Sequence, residues 1–374
     1  MRTRRRLSLA FLACVVTMPA ATASAQNAPA CDPDNGGLTL PQGFCALVVA
    51  DIGARVRHIV VRPNGDIFVA VIGRGGRGEA PTGGGVLALR DTTGNGKIDV
   101  RERFGPDRGG TGIEISGDVL YFAPDDAVLR YRVPAGRLTP AAEPDTLVSG
   151  LPFDRSHAAK TIALSGDRLF VNIGSPSNVC QQPGQRGAGA AQDPCPELQN
   201  RAGIWLFDPN RARQRQSDGA RYATGIRNAV AIAINPADDG LYVVQHGRDA
   251  LFQSYPQYFS QRDGAEKPAE EFMKVDRGDD FGWPYCFYDP EKREKVLAPE
   301  YGGDGEQTGR CADKEKPLYG YPGHWAPNDL LFYTGTQFPE HYRNGAFIAF
   351  HGSWNRNPEP QDGYNVVFQP MANG

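Results

Sequence analysis

No apolar run in this chain is long enough to span a bilayer. The longest, Leu7 to Met18, follows the basic Arg2, Arg4, Arg5 and Arg6 and ends at Ala23-Ser24-Ala25. That order is the order of a cleaved export signal and not of a membrane anchor. Residues 1–25 are therefore expected to be a signal peptide, and residues 26–374 a single domain working in the periplasm or outside the cell. An excess of one charge is also missing. Forty basic residues face 43 acidic ones, a net −3, which excludes a nucleic-acid or anionic-membrane binder driven by charge. No C-x-x-C spacing occurs, which argues against zinc or dithiol redox chemistry. Long helical periods and linker-like tracts are absent as well, so the chain reads as one domain.

Of the seven cysteines, Cys14 lies in the export signal. The other six, Cys31, Cys45, Cys180, Cys195, Cys286 and Cys311, form three sequence-local couples separated by 14, 15 and 25 residues. An even number in an exported chain reads as disulfides, although the count alone leaves fifteen pairings open.

What the chain does contain is turns: 45 glycines and 30 prolines, a composition that favours an all-β protein. A cassette of glycine turn, aliphatic run and aromatic recurs at Gly65-Asp-Ile-Phe-Val69, Gly117-Asp-Val-Leu-Tyr121, Gly166-Asp-Arg-Leu-Phe170 and Gly240-Leu-Tyr-Val-Val244. The first two spacings are 52 and 49 residues and the third is 74. A hairpin repeating near every 50 residues is the mark of a radial β-repeat, most simply a propeller. The next cassette, Gly345-Ala-Phe347, comes 105 residues on, about two periods. A blade is therefore expected inside the irregular stretch around Phe281-Gly-Trp-Pro284. That makes an all-β, six-bladed β-propeller with its C-terminal blade incomplete; without that blade the ring is one short. Val86 to Leu89, Val128 to Val133 and Ile204 to Phe207 read as outer strands, and Ala346 to His351 as an inner one.

Three segments carry polar, titratable residues at the same place relative to their cassettes, and so at one mouth of the channel. They are Phe153-Asp-Arg-Ser-His157-Ala-Ala-Lys160 with Gly174-Ser-Pro-Ser-Asn178; Gly225-Ile-Arg227-Asn228 with His246-Gly-Arg-Asp249; and Gly323-His324-Trp-Ala-Pro327 with His351-Gly-Ser-Trp-Asn-Arg356. Four of the six histidines lie here. An imidazole titrates near neutrality and suits a general base, although a single histidine at a strand start is more often structural.

With Phe281-Gly-Trp-Pro-Tyr-Cys286, these motifs over roughly Leu40 to Phe368 resemble the quinoprotein sugar dehydrogenases of six-bladed propeller fold. The sorbosone dehydrogenase branch is nearer than the soluble glucose dehydrogenases. Ser156 and Ser175 stand where the glucose enzymes carry acids, as in the sorbosone branch. The resemblance implies oxidation of a sugar or sugar aldehyde by pyrroloquinoline quinone, with electrons passing to a periplasmic acceptor. His157 would be the general base and Arg227 with Asn228 would contact the quinone oxygens, the guanidinium stabilising charge that develops on reduction. Cations for the tricarboxylate cofactor would come from Arg57, Lys160, Arg248, His324 and Arg356. The carbonyls of Gly247 and Arg248 would hold Ca²⁺, a hard cation suited to oxygen ligands.

A separate stretch, Asp91-Thr-Thr-Gly-Asn95-Gly96-Lys-Ile-Asp99-Val-Arg-Glu102, fits a twelve-residue calcium loop at Asp91, Asn95, Asp99 and Glu102. It fits a Gly-Asn-Gly hairpin turn equally well. Two other functions fit a propeller of this kind: a Ca²⁺-dependent lactonase-type hydrolase, and a non-catalytic sugar- or protein-binding module. The hydrolase needs carboxylates and amides around one ion, where these segments offer histidine and arginine.

Overall fold

A computed structural model describes residues 29–74, 82–154, 156–182, 185 and 191–371. The expected signal peptide, and Arg155, lie outside the described residues. The chain forms five antiparallel sheets arranged as the blades of a propeller. In blade 1 the order outward from the channel is Arg55–Val61, Ile67–Ile72, Gly85–Arg90 and Val100–Phe104. Blade 2 runs through Gly112–Ser116, Val119–Ala123, Ala127–Arg132 and Asp145–Ser149, with the short strand Gln214–Arg215 added in parallel at its edge. Blade 3 has Ile162–Ser165, Arg168–Ile173, Gly203–Phe207 and Ala220–Thr224. Blade 4 has Ala229–Asn235, Gly240–Gln245, Glu270–Val275 and Tyr319–Tyr321, and blade 5 has Pro327–Phe332, Ala346–His351 and Tyr364–Gln369.

Each cassette is the second strand of its blade, one place further out than the inner position expected for it. Its turn needs one residue in the left-handed region, where a Cβ is strained. Gly65, Gly117 and Gly166 supply it in the first three blades. In blades 4 and 5 the left-handed residue is Asp239 or Asn344, one position before the glycine. The strands expected to be outer ones are third in order, with a further strand beyond each.

Apolar side chains from facing sheets form the cores between neighbouring blades: Phe68, Leu120 and Phe122 between blades 1 and 2, Leu147, Leu169 and Trp205 between 2 and 3, Phe170, Ile232 and Met273 between 3 and 4, and Tyr242, Phe332 and Ile348 between 4 and 5. Blades 5 and 1 meet differently. His58 donates from Nε2 to the Asn328 carbonyl at 2.6 Å, while Ile59, Val61, Leu331 and Val366 stay exposed around a channel cavity of about 800 Å³. The amino-terminal segment bridges the two rims, with Phe44 against Phe338 and Tyr342 on one side and Ala50, Ile52 and Ala54 against blade 1 on the other.

The sixth blade expected around Phe281 is absent, and the reason is local. Residues 276–318 are an excursion between the third and fourth strands of blade 4. Phe281 buries into the core between blades 3 and 4, and its N–H donates to the Thr224 carbonyl at 3.1 Å. Gly225, at φ +71°, leaves room for that backbone where a Cβ would meet the Gly282 nitrogen at 2.4 Å. Beyond Phe281 the chain makes only a two-stranded hairpin, Cys286–Asp289 with Glu294–Leu297. The three cysteine couples all form disulfides: Cys31–Cys45, Cys180–Cys195 and Cys286–Cys311. No helix among the described residues is long and apolar enough to cross a membrane.

Candidate active site

The mouth is built where second strands end and first strands begin. His157 lies in the loop entering blade 3, at φ +50°. Non-glycine residues in that region are strained and cluster at functional sites; His324 and Ala326 on the same mouth share it, at φ +63° and +61°. The imidazole Nδ1 is 2.7 Å from the Ser175 carbonyl oxygen and 3.1 Å from its hydroxyl. A carbonyl only accepts, so Nδ1 carries the proton and Nε2 keeps its lone pair. Ser175 thus orients the ring through its backbone, where the glucose enzymes were expected to use a carboxylate. Burial, reinforced by Arg227, pushes the imidazole down to about 3, so the ring stays neutral, with the Nε2 lone pair free, throughout the neutral range.

The floor beneath this ring is Gly174. A Cβ there would lie 2.7 Å from the His157 Cβ and 3.1 Å from the Asn228 Oδ1. Gly174→Ala is expected to cost about 1–3 kcal/mol through overpacking and to displace the imidazole. Circular dichroism should stay native-like while the crystal structure of the variant shows the ring moved off Ser175; an unmoved ring would show that this floor does not hold His157.

Arg227 enters blade 4 and four of its five guanidinium N–H groups are engaged, Nε with the Asn178 carbonyl at 3.3 Å. It donates to the Gly247 carbonyl at 2.7 Å, to Asn178 Oδ1 at 3.0 Å and to Asp249 Oδ2 at 2.7 Å. Burial alone would raise the Asp249 carboxyl, but Arg227, His324 and His157 hold it below the usual carboxylate range. Asn228 is buried and its Oδ1 accepts no hydrogen bond. His246 donates to the Pro327 carbonyl at 2.7 Å, stands 6.0 Å from the His351 ring, and is likewise pushed by burial to about 3. Beneath them Glu270 accepts from the Gly247 and Ala326 N–H groups, and burial raises it to about 8.

The expected cations divide into two sets. Lys160 is buried, donates to the Ala158 carbonyl at 2.7 Å, and is pushed by burial down to about 8. Arg57 has a buried Nε without a partner, and burial lowers its guanidinium as well. Neither has a carboxylate within ion-pair distance among the described residues. His324 faces the mouth, with Nδ1 3.6 Å from Asp249. Arg248 and Arg356, like Arg227, each have a carboxylate partner. Arg248 is buried against Glu300 at 2.5 Å. Arg356 donates to the Ala265 and Gly323 carbonyls and pairs with Glu266 at 2.6 Å, fastening the inserted helix Gln261–Glu266 to the mouth loop.

The expected calcium ligands are not gathered either. The Gly247 carbonyl faces the Arg227 guanidinium, which opposes a second cation at that oxygen. In the 91–102 loop, Asp91 Oδ1 accepts from the Thr93 and Gly94 N–H groups and Oδ2 from Gly96. Asp99 accepts from Thr92, and Asn95 from the Lys97 N–H. Glu102 sits in the outer strand opposite Ala88. The loop is the hairpin turn between the third and fourth strands of blade 1, and no group of three or more His, Cys, Asp or Glu side chains able to hold a metal occurs among the described residues.

Fold and mouth together define a β-propeller whose polar side chains gather around an oriented, neutral imidazole. The chain belongs to the TrAA12-like family, which it matches over residues 38–374. It is 27% identical over 367 residues to a pyrroloquinoline quinone-dependent pyranose dehydrogenase of Coprinopsis cinerea, covering 90% of this chain and 43% of that protein. It is also 30% identical over 191 residues to an uncharacterized protein of Borreliella burgdorferi, covering 51% of this chain and 40% of the other. The chain thus spans less than half the length of these relatives. The holo pyrroloquinoline quinone domain of the Coprinopsis cinerea pyranose dehydrogenase superposes with a TM-score of 0.67 at 20% identity, covering 89% of this chain and 82% of that one. A Trichoderma reesei carbohydrate-active enzyme of family AA12 superposes with a TM-score of 0.67 at 19% identity, covering 86% and 78%. At such identities the likeness establishes the propeller fold.

Proposed function

We propose that this protein is an exported oxidoreductase that oxidises a sugar hydroxyl or sugar aldehyde with pyrroloquinoline quinone bound at the mouth. The observation that carries this reading is His157: its Nδ1 proton is held by Ser175, its Nε2 is open, and Arg227 and the orphaned Asn228 Oδ1 lie beside it. Membership in the TrAA12-like family and the similarity to a quinone-dependent pyranose dehydrogenase support it. The three disulfides favour an oxidising compartment.

The residues present fit the quinone. Asn228 offers a buried polar atom without a partner, Gly174 leaves space that a Cβ would fill, and Arg57 and Lys160 offer positive charge to its carboxylates. When bound, the quinone supplies the two-electron acceptor that no side chain here can provide. His157 Nε2 takes the substrate hydroxyl proton, and Ser175 keeps the ring aimed as it becomes charged. Arg227, held by Asn178, Gly247 and Asp249, would offer its one remaining Nη1 N–H to developing negative charge. Calcium fits less well, because Arg227 occupies the Gly247 carbonyl, and no step here is routed through it.

The test is a quinone titration followed by dye reduction with aldoses and sugar aldehydes, with and without added Ca²⁺. Quinone binding with turnover is expected; absence of binding would sink the proposal, and binding without turnover would favour a non-catalytic module. Lys160 adds a pH signature. With its amine at about 8, its charge is present below that pH and lost above it. Quinone affinity should fall as pH rises through about 8, and Lys160→Met should bind more weakly and lose this dependence.

A further inference from the structure

Asp249 closes the motif His246-Gly-Arg-Asp249 just past the second strand of blade 4, and three blades converge on it. Its backbone is clasped at both ends by one side chain from blade 3: its N–H donates to Asn178 Oδ1 at 2.8 Å, and Asn178 Nδ2 donates to its carbonyl at 2.9 Å. One carboxylate oxygen takes the Arg227 Nη2 at 2.7 Å, and the other takes Asn355 Nδ2, from the loop after the second strand of blade 5, at 2.5 Å. The Asp249 side chain keeps 38% exposure and Arg227 only 5%, so the carboxylate is the mouth side of the pair and the guanidinium is packed behind it. The guanidinium it grips is also held by the Gly247 carbonyl and Asn178. Such a fork admits one orientation.

We propose that Asp249 is a positioning residue. It locks the Arg227 guanidinium in a single orientation and cancels its charge, so that Arg227 acts as an aimed hydrogen-bond donor and not as an anion trap. Recognition of the cofactor's carboxylates is thereby left to Arg57 and Lys160, on which Asp125 acts only from beyond ion-pair distance. This inference rests on the proposed quinone reading for its catalytic consequence, but its structural half stands apart from it.

The two halves are measured separately. Asp249→Asn keeps the shape of the side chain and makes the mouth more positive by one charge. Quinone affinity should therefore hold or increase, while kcat falls about 100-fold because the donor face is no longer aimed. That opposition is what a purely structural role would not produce, since loss of folding lowers both. Asn355→Ala, which removes only the strap on the carboxylate, should give the same pattern at about tenfold and serves if the first variant folds poorly. A crystal structure of the cofactor-free Asp249→Asn protein should show Arg227 released from Asn178 and Gly247. A kcat within about threefold of wild type, a loss of quinone affinity in a folded variant, or an unmoved guanidinium would each overturn the proposal. If wild-type protein binds no quinone, the functional reading fails while the cofactor-free structure still decides the role of Asp249.

Discussion

His157→Asn is expected to lower turnover by about 10²–10⁴-fold if His157 is the general base proposed above, and to leave quinone affinity nearly unchanged. Asparagine is the informative replacement because position 157 has φ +50°, a conformation that asparagine tolerates better than alanine. A companion measurement is the pH–rate profile of the wild type. With the His157 imidazole pushed to about 3 by burial, the profile should show no decline as pH falls through the ordinary imidazole range near 6.5. The linkage to stability has the same sign. Between about 6.5 and 3 the unfolded chain binds a proton that the folded ring refuses, so this group stabilises the fold above that window and the contribution is lost as pH falls through it. A variant with wild-type turnover would remove His157 from the reaction.

Lys295→Met has the largest expected effect on stability. Lys295 and Glu271 are both buried and pair at 2.5 Å. Lys295 also donates to the Phe281 carbonyl at 2.8 Å, and Glu271 accepts from Gln245, whose own oxygen holds the Arg227 N–H at 2.8 Å. The pair therefore anchors the 276–318 excursion to blade 4 and supports the backbone of Arg227 from below. Removing one partner strands a buried charge and should cost about 3–5 kcal/mol. Burial already raises the Glu271 carboxyl, so in the variant it should take up a proton. Replacing both residues by apolar ones of similar size should recover most of the loss. Chemical denaturation of the wild type and the two variants checks this; a Lys295→Met protein as stable as wild type would show that the pair contributes no net stability.

Much of the architecture was legible from turns and periodicity. A glycine turn followed by an alternating strand specifies a hairpin through local sterics alone, so Gly65, Gly117 and Gly166 located their blades. The local cysteine couples were readable as three candidate loops for the same reason of proximity. The blade count was not legible. A spacing of 105 residues is the same whether it holds a blade or an excursion, and only the burial of Phe281 between blades 3 and 4 distinguishes them. Asp249 and Asn355 lay inside quoted motifs without a role, because their importance comes from partners 22 and 106 positions away. The carboxylate partners of Arg248 and Arg356, Glu300 and Glu266, were equally invisible in the sequence, because only folding brings them 52 and 90 positions across the chain.

By itself the sequence determined what local chemistry can determine: the repeating hairpin and the segments in which polar residues gather. The tertiary structure alone decided how many blades the repeat makes, which arginines keep an unspent charge, and that Gly247 faces a guanidinium. Hydrogen bonds and ion pairs saturate. Whether a given donor remains available for a ligand depends on every acceptor folded within about 3 Å of it, and that distance is a property of the packed chain.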